Sequence, residues 1–211
     1  MTFEKKSQLS SDIEKYIDPS LAQEMTSGTV EQKVAVLFRY MEKRGQSFYD
    51  EVVTQLEHAL QCAALAQQND ASVTLITGAL LHDIGHIILD EHNADRAFLD
   101  TDLTHEEVGA QYMEPFFSDA VTTPIRLHVP AKRYLCTTDP SYHDGLSEAS
   151  KRSFRLQGGD MSDEERDAFE QIPYFQDALT LRRWDDLAKV KGLETAELET
   201  YRDIVQQCLI H

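Results

Sequence analysis

The stretch from Ala71 to Ile84, ASVTLITGALLHDI, is apolar on nearly every side, with Val73, Leu75, Ile76, Ala79, Leu80 and Leu81 leaving no polar face. It is too short to span a bilayer, which takes about 20 apolar residues. A helix of that kind belongs in the middle of a protein, with other helices around it. Its last turn carries His82 and Asp83, so the chain drives an imidazole and a carboxylate into its own interior. Polar groups are expensive to bury unless something compensates them.

The flanking segments supply the surrounding helices. From Thr29 to Lys43, Val30, Val34, Val36, Leu37, Tyr40 and Met41 fall mostly three or four residues apart and form one apolar stripe. From Asp50 to Gln67, Val52, Val53, Leu56, Ala59, Leu60, Ala63 and Ala64 repeat the pattern, with His58 beside the stripe. A helix over 104–117 is expected to open on a capping box of Thr104 and Glu107 and to end near Pro115, and the same box recurs at Ser162 and Glu165. Further helices are expected over 120–129, 147–157, 173–190 and 195–209. No run alternates apolar and polar residues as a strand would, so the fold class is all-α, a helical bundle.

At 211 residues the chain suits one globular domain. No window reads as a membrane span and the N-terminus has no apolar signal core, so a cytoplasmic protein is expected, with no membrane partner. Cys62, Cys136 and Cys208 are scattered and odd in number, as reduced packing residues would be. A formal charge of −17 argues against a nucleic-acid polymer as partner, although a small anion needs only a few local cations.

An isolated His-Asp pair is common, and a histidine near a core is more often structural than a ligand. The wider set changes that balance. HDIGH places His86 one helical turn after His82, on the same face. His58, His105, His128 and Asp185 lie on separate expected helices, each near an apolar face. Four imidazoles and two carboxylates, with Asp83 offering two oxygens to bridge two ions, suit iron, manganese or zinc, and the absence of a cysteine ligand speaks against structural zinc. Iron or manganese is preferred. Asp186 competes with Asp185 for the last position, and His92, His143 and His211 are expected in solvated loops or at the terminus.

With His58, then His82 and Asp83, then Asp185, the chain resembles the HD superfamily, and His105 with His128 resembles its dinuclear branch. The resemblance is closest to the mixed-valence diiron oxygenases, which include myo-inositol oxygenase and organophosphonate-cleaving enzymes. It runs from about residue 44 to 190 and is carried by EHALQCA, LLHDIGH, SEASKRSFRLQGG and LRRWDDLAK. On that basis residues 29–211 are expected to form the HD domain and 1–28 a helical extension.

The resemblance implies an Fe(II)/Fe(III) pair, with O2 as co-substrate. It implies catalytic roles for His82, Asp83 and His86, and phosphonate contacts from His86, Lys132, Ser150 and Arg182. Glu51 stands where the family's YxxE stretch has the glutamate that meets the substrate ammonium. The tyrosine position holds Phe48, which cannot bind metal, with Tyr49 one residue out of register. The implied reaction is oxidative cleavage of the carbon-phosphorus bond of a 1-hydroxy-2-aminoethylphosphonate or its N-methylated relative. It would give phosphate and a carboxylic acid such as glycine or glycine betaine.

Two other readings fit the same ligands. A dinuclear HD phosphohydrolase would use bridged metals to activate water against a nucleotide or other phosphate ester. A non-catalytic HD module would sense a ligand, but has no chemical need for so complete a ligand set.

Overall fold

The computed structural model describes residue 13 and residues 16–48, 52–89 and 104–210. Tyr49, Glu51, His92 and His211 lie outside the described residues. Helices account for the architecture: α1 Ser20–Met25, α2 Val30–Arg44, α3 Gln55–Gln68, α4 Val73–Leu81, α5 Ile84–Leu89 and α6 His105–Met113. They continue with α7 Asp119–Thr138, α8 Pro140–Gly145, α9 Glu148–Leu156, α10 Asp163–Glu170, α11 Phe175–Leu187, a 3-10 turn Leu198–Tyr201, and α12 Arg202–Cys208. Among the described residues the only β pairings are the isolated bridges Phe48–Thr54 and Phe117–Leu209. No described helix is long and apolar enough to cross a membrane.

The apolar helix α4 takes the central place its sequence demands. Residues Leu75 to Leu81 are all buried, and α3, α7, α11 and α12 pack around it. Leu21 and Met25 of α1 join the same core, with Leu37, Phe38 and Met41 of α2. A second cluster, including Leu127, Leu135, Phe169 and Phe175, fastens α10 and α11 to α7. The free cysteines Cys62, Cys136 and Cys208 are buried packing residues.

Several helix ends follow side-chain capping, and others do not. α3 starts at Gln55 rather than near residue 50, because Thr54 and Glu57 form a capping box, with bonds of 2.7 and 3.1 Å. Ser162 and Glu165 form the expected box on α10. The box expected at Thr104 does not form. Thr104 is left-handed with φ 50° and no side-chain cap, and the Glu107 carboxylate accepts from Arg126 at 2.9 Å instead.

Two boundaries differ in ways that matter to the site. The helix expected over 71–84 stops at Leu81, turns through His82 and Asp83, and restarts as α5. The helix expected over 120–129 runs on to Thr138 through Pro124 and Pro130. Burial of Ile125, Val129, Ala131 and Leu135 on both sides of the second proline outweighs its lost hydrogen bond. The longer helix carries both His128 and Lys132. His143 lies in the short helix α8 rather than a loop, its ring edge-on to Phe154.

Candidate metal centre

Side chains from α3, the α4–α5 turn, α6, α7 and α11 converge on one buried point. The break after Leu81 lets the adjacent His82 and Asp83 both face it. His58, His82, Asp83, His128 and Asp185 are all buried, and His105 is nearly so.

Each histidine of the inner set is oriented from behind. The Nδ1 atoms of His58, His82 and His128 lie 2.7 Å from the Ala188 carbonyl oxygen, 2.9 Å from that of Ala79 and 2.7 Å from that of Ile125. A carbonyl only accepts, so each Nδ1 carries a proton and each ring aims its Nε2 inward, where it can offer a lone pair once that atom is deprotonated. The Nε2 atoms of His58 and His82 are 3.1 Å apart, and those of His105 and His128 are 3.2 Å apart. Two nitrogens at that distance need a proton or a metal ion between them.

Asp83 links the two pairs. Its Oδ2 lies 3.4 Å from Nε2 of both His58 and His82. Its Oδ1 lies 3.4 Å from Nε2 of both His105 and His128. Asp185 adjoins the first group, its Oδ1 3.4 Å from His58 Nε2 and its Oδ2 4.0 Å from His82 Nε2. Ligands held about 2.1 Å from one cation are separated by about 3.0–3.4 Å at tetrahedral or octahedral angles, the spacing seen among His58, His82 and Asp83 Oδ2 and among His105, His128 and Asp83 Oδ1. Asp83 Oδ2 is buried without a hydrogen-bond partner, which a cation would resolve. These His and Asp side chains form a cluster able to bind metal, and the donor set fits two cations bridged by one carboxylate.

The electrostatics agree. Burial alone would push Asp83 and Asp185 up, but the His82 charge holds Asp83 well below the usual carboxylate range, and Arg182 does so for Asp185. Burial alone would push His58 and His82 down, yet hydrogen bonding to Asp185 raises the first and the Asp83 charge raises the second. The two carboxylates therefore make this spot favour positive charge. On the other side His105 is pushed down to about 4 by burial and by His86, and burial also lowers His128, so both are neutral donors near pH 7.

The remaining site residues divide. The His86 ring stacks on His105 with centroids 3.8 Å apart, and Asp83, His86 and His105 place ligand atoms within 4.8 Å of one another. Lys132 is buried and donates to Ser153 Oγ at 2.8 Å, while Ser150, also buried, pairs its Oγ with that of Ser147. Arg182 is buried against both aspartates: Nη1 lies 2.5 Å from Asp185 Oδ2, and Nε and Nη2 donate to Asp186. Asp185, not Asp186, faces the histidines. Phe48 is exposed, and Glu51 lies outside the described residues.

Some neighbours had no sequence signal strong enough to single them out. Ser153 lies one turn beyond Ser150, and Tyr142, whose hydroxyl donates to Asp186, lies far from it in sequence. Cys62 shares the His58 face at four-residue spacing and touches His82 electrostatically, a relation the spacing could have raised.

The comparisons with known proteins agree with this geometry. The HD domain family model matches residues 56–170. The hydroxymethylphosphonate dioxygenase of Gimesia maris is 56% identical over 185 residues, 88% of this chain and 92% of that protein. The glycine-betaine-forming 1-hydroxy-2-(trimethylamino)ethylphosphonate dioxygenase of Leisingera caerulea is 42% identical over 167 residues, 79% of this chain and 85% of that protein. An uncharacterized protein of Acanthamoeba polyphaga mimivirus is 37% identical over 182 residues, 84% of this chain and 82% of that protein. The chain thus belongs to the HD-domain family, within the group that holds these oxygenases.

Proposed function

We propose that this protein is an HD-domain oxygenase that uses an Fe(II)/Fe(III) pair and O2 to cleave the carbon-phosphorus bond of a 1-hydroxyphosphonate, releasing phosphate and a carboxylic acid. The observation that carries this reading is the split of Asp83, one oxygen toward His58 and His82 and the other toward His105 and His128. His58, His82, Asp83 and Asp185 would hold one ion, and Asp83, His105 and His128 the other. Bound iron supplies the redox chemistry with O2 that side chains lack.

The protein's own contribution is to bind, orient and exclude water. In a chain of charge −17, a dianionic phosphonate needs local cations, and Lys132 and Arg182 are both buried near the histidines. Lys132 Nζ, with three donors, keeps one on Ser153 and offers the others to phosphonate oxygens. Arg182, His86 and Ser150 complete the anion contacts, and the His86–His105 stack fixes the orientation of His86. Burial of the ligand set keeps bulk water from the reacting carbon.

The substrate has two readings. One is the 1-hydroxy-2-aminoethylphosphonate type, N-methylated or not, with Glu51 meeting the nitrogen. The other, hydroxymethylphosphonate, lacks any amine. It is favoured by the 56% identity to a relative named for it, against 42% for the trimethylamino relative. Phe48 in place of the expected tyrosine also departs from the amine-substrate pattern.

The test is phosphate release from both compounds by iron-loaded protein, with and without O2. An oxygenase releases phosphate only in the presence of O2. Release under argon at the same rate would mark a cleavage that does not use O2 and overturn the proposal, and the better substrate decides between the two readings.

A further inference from the structure

We propose that Asp186, held by Tyr142, is a positioning residue that shares Arg182 with Asp185 and so keeps one Asp185 oxygen available for a metal ion. The inference rests on the reading of Asp185 as a metal ligand. Asp185 divides its oxygens: Oδ2 lies 2.5 Å from Arg182 Nη1 and 4.0 Å from His82 Nε2, and Oδ1 lies nearer the histidines, 3.4 Å from His58 Nε2. Arg182 is buried, so its guanidinium needs acceptors from the protein. A guanidinium facing one carboxylate frequently takes both of its oxygens in a two-pronged pair. That arrangement on Asp185 would draw Oδ1 away from His58.

Asp186 prevents it by occupying the other edge of the fork. Its Oδ2 accepts from Arg182 Nε at 3.2 Å and its Oδ1 accepts from Nη2. Tyr142, from α8, donates its hydroxyl to Asp186 Oδ2 and fixes the carboxylate. Lys189 Nζ lies 3.7 Å from Asp185 Oδ1 and 4.0 Å from Asp186 Oδ1, so each carboxylate meets more than one cation. The pair of aspartates in LRRWDDLAK thus divides two tasks, one toward the histidines and one toward the arginine.

The experiment is a competitive chelator titration of the full chain with Mn(II), which needs no turnover. Asp186→Asn is expected to weaken Mn(II) binding about 10-fold, in the range of supporting contacts to metal ligands. Tyr142→Phe is expected to weaken it about threefold, the effect of one hydrogen bond. Asp186→Glu should restore much of the affinity. In an Arg182→Gln background, Asp186→Asn should add nothing, because no guanidinium remains to be shared. Wild-type affinity in both Asp186→Asn and Tyr142→Phe would overturn the inference, as would an undiminished Asp186→Asn effect in the Arg182→Gln background. If Asp186→Asn does not fold, Tyr142→Phe alone decides. Failure of the underlying reading is separate: there, Asp185→Ala itself would leave Mn(II) binding unchanged.

Discussion

Gly85 and His105 meet through their backbones: a methyl group on Gly85 would lie 2.0 Å from the His105 carbonyl oxygen and 2.7 Å from its carbonyl carbon. That contact sets how closely α5 approaches α6, and with it the separation of the His82 and His105 halves of the centre. Backbone cannot yield as a flexible side chain does. Gly85→Ala is therefore expected to destabilise the fold by about 2–4 kcal/mol, as strong overpacking does, and to reduce bound metal. A denaturant midpoint equal to wild type would show that the helices separate at no cost.

Loss of a ligand should remove metal and activity together. His105→Ala and Asp185→Ala each take one donor from opposite sides of Asp83. Each is expected to lose about 100-fold or more of turnover, at least as much as supporting contacts command, together with bound iron. Wild-type metal content and activity in both variants would contradict the assignment.

Lys132 should act on the substrate rather than on the metal. Lys132→Ala is expected to raise KM or the dissociation constant for phosphonate about 10-fold or more, with metal content unchanged, since a buried charge-assisted contact is lost. An unchanged dissociation constant would place Lys132 outside the binding region.

The same lysine gives a pH dependence with a definite sign. Burial first, and then the Arg182 charge, push Lys132 from 10.5 down to about 8, while Asp185, Asp186 and Glu106 pull the other way. Below about 8 the ammonium is charged and attracts an anion; above it the amine is neutral. Inorganic phosphate, as a competing anion, should bind more weakly as pH rises from about 7 to about 9. Lys132→Arg, whose guanidinium stays charged, should lose that decline. The linked stability has the opposite slope: between about 8 and 10.5 the unfolded chain binds more protons, so folding becomes more favourable with rising pH. Phosphate binding that is flat across this range in wild type would contradict the role.

Much of this was legible in the sequence because helical periodicity and burial point the same way. The apolar run around Leu75 and Leu80 dictates a central helix, and His82 and Asp83 follow from its end. What stayed hidden depends on contacts between distant segments. Thr104 has the spacing of a cap, but Arg126 claims Glu107. The helix expected over 120–129 stops short of Pro130, and its continuation to Thr138 depends on the core packing on both sides of that proline. Asp185 and Asp186 are neighbours about 100° apart on one helix, and only the position of Arg182 and the histidines distinguishes them. Ser150 and Ser153 occupy one helix a turn apart, so spacing alone could not show which meets Lys132.

The central claim is a pair of cations joined by the Asp83 carboxylate, and the most direct measurement is metal analysis with electron paramagnetic resonance on aerobically purified protein, before and after adding a hydroxyphosphonate. Two irons per chain, with a coupled Fe(II)/Fe(III) signal that changes on adding the compound, is the expected result. One metal per chain, or two uncoupled ions indifferent to the phosphonate, would contradict it.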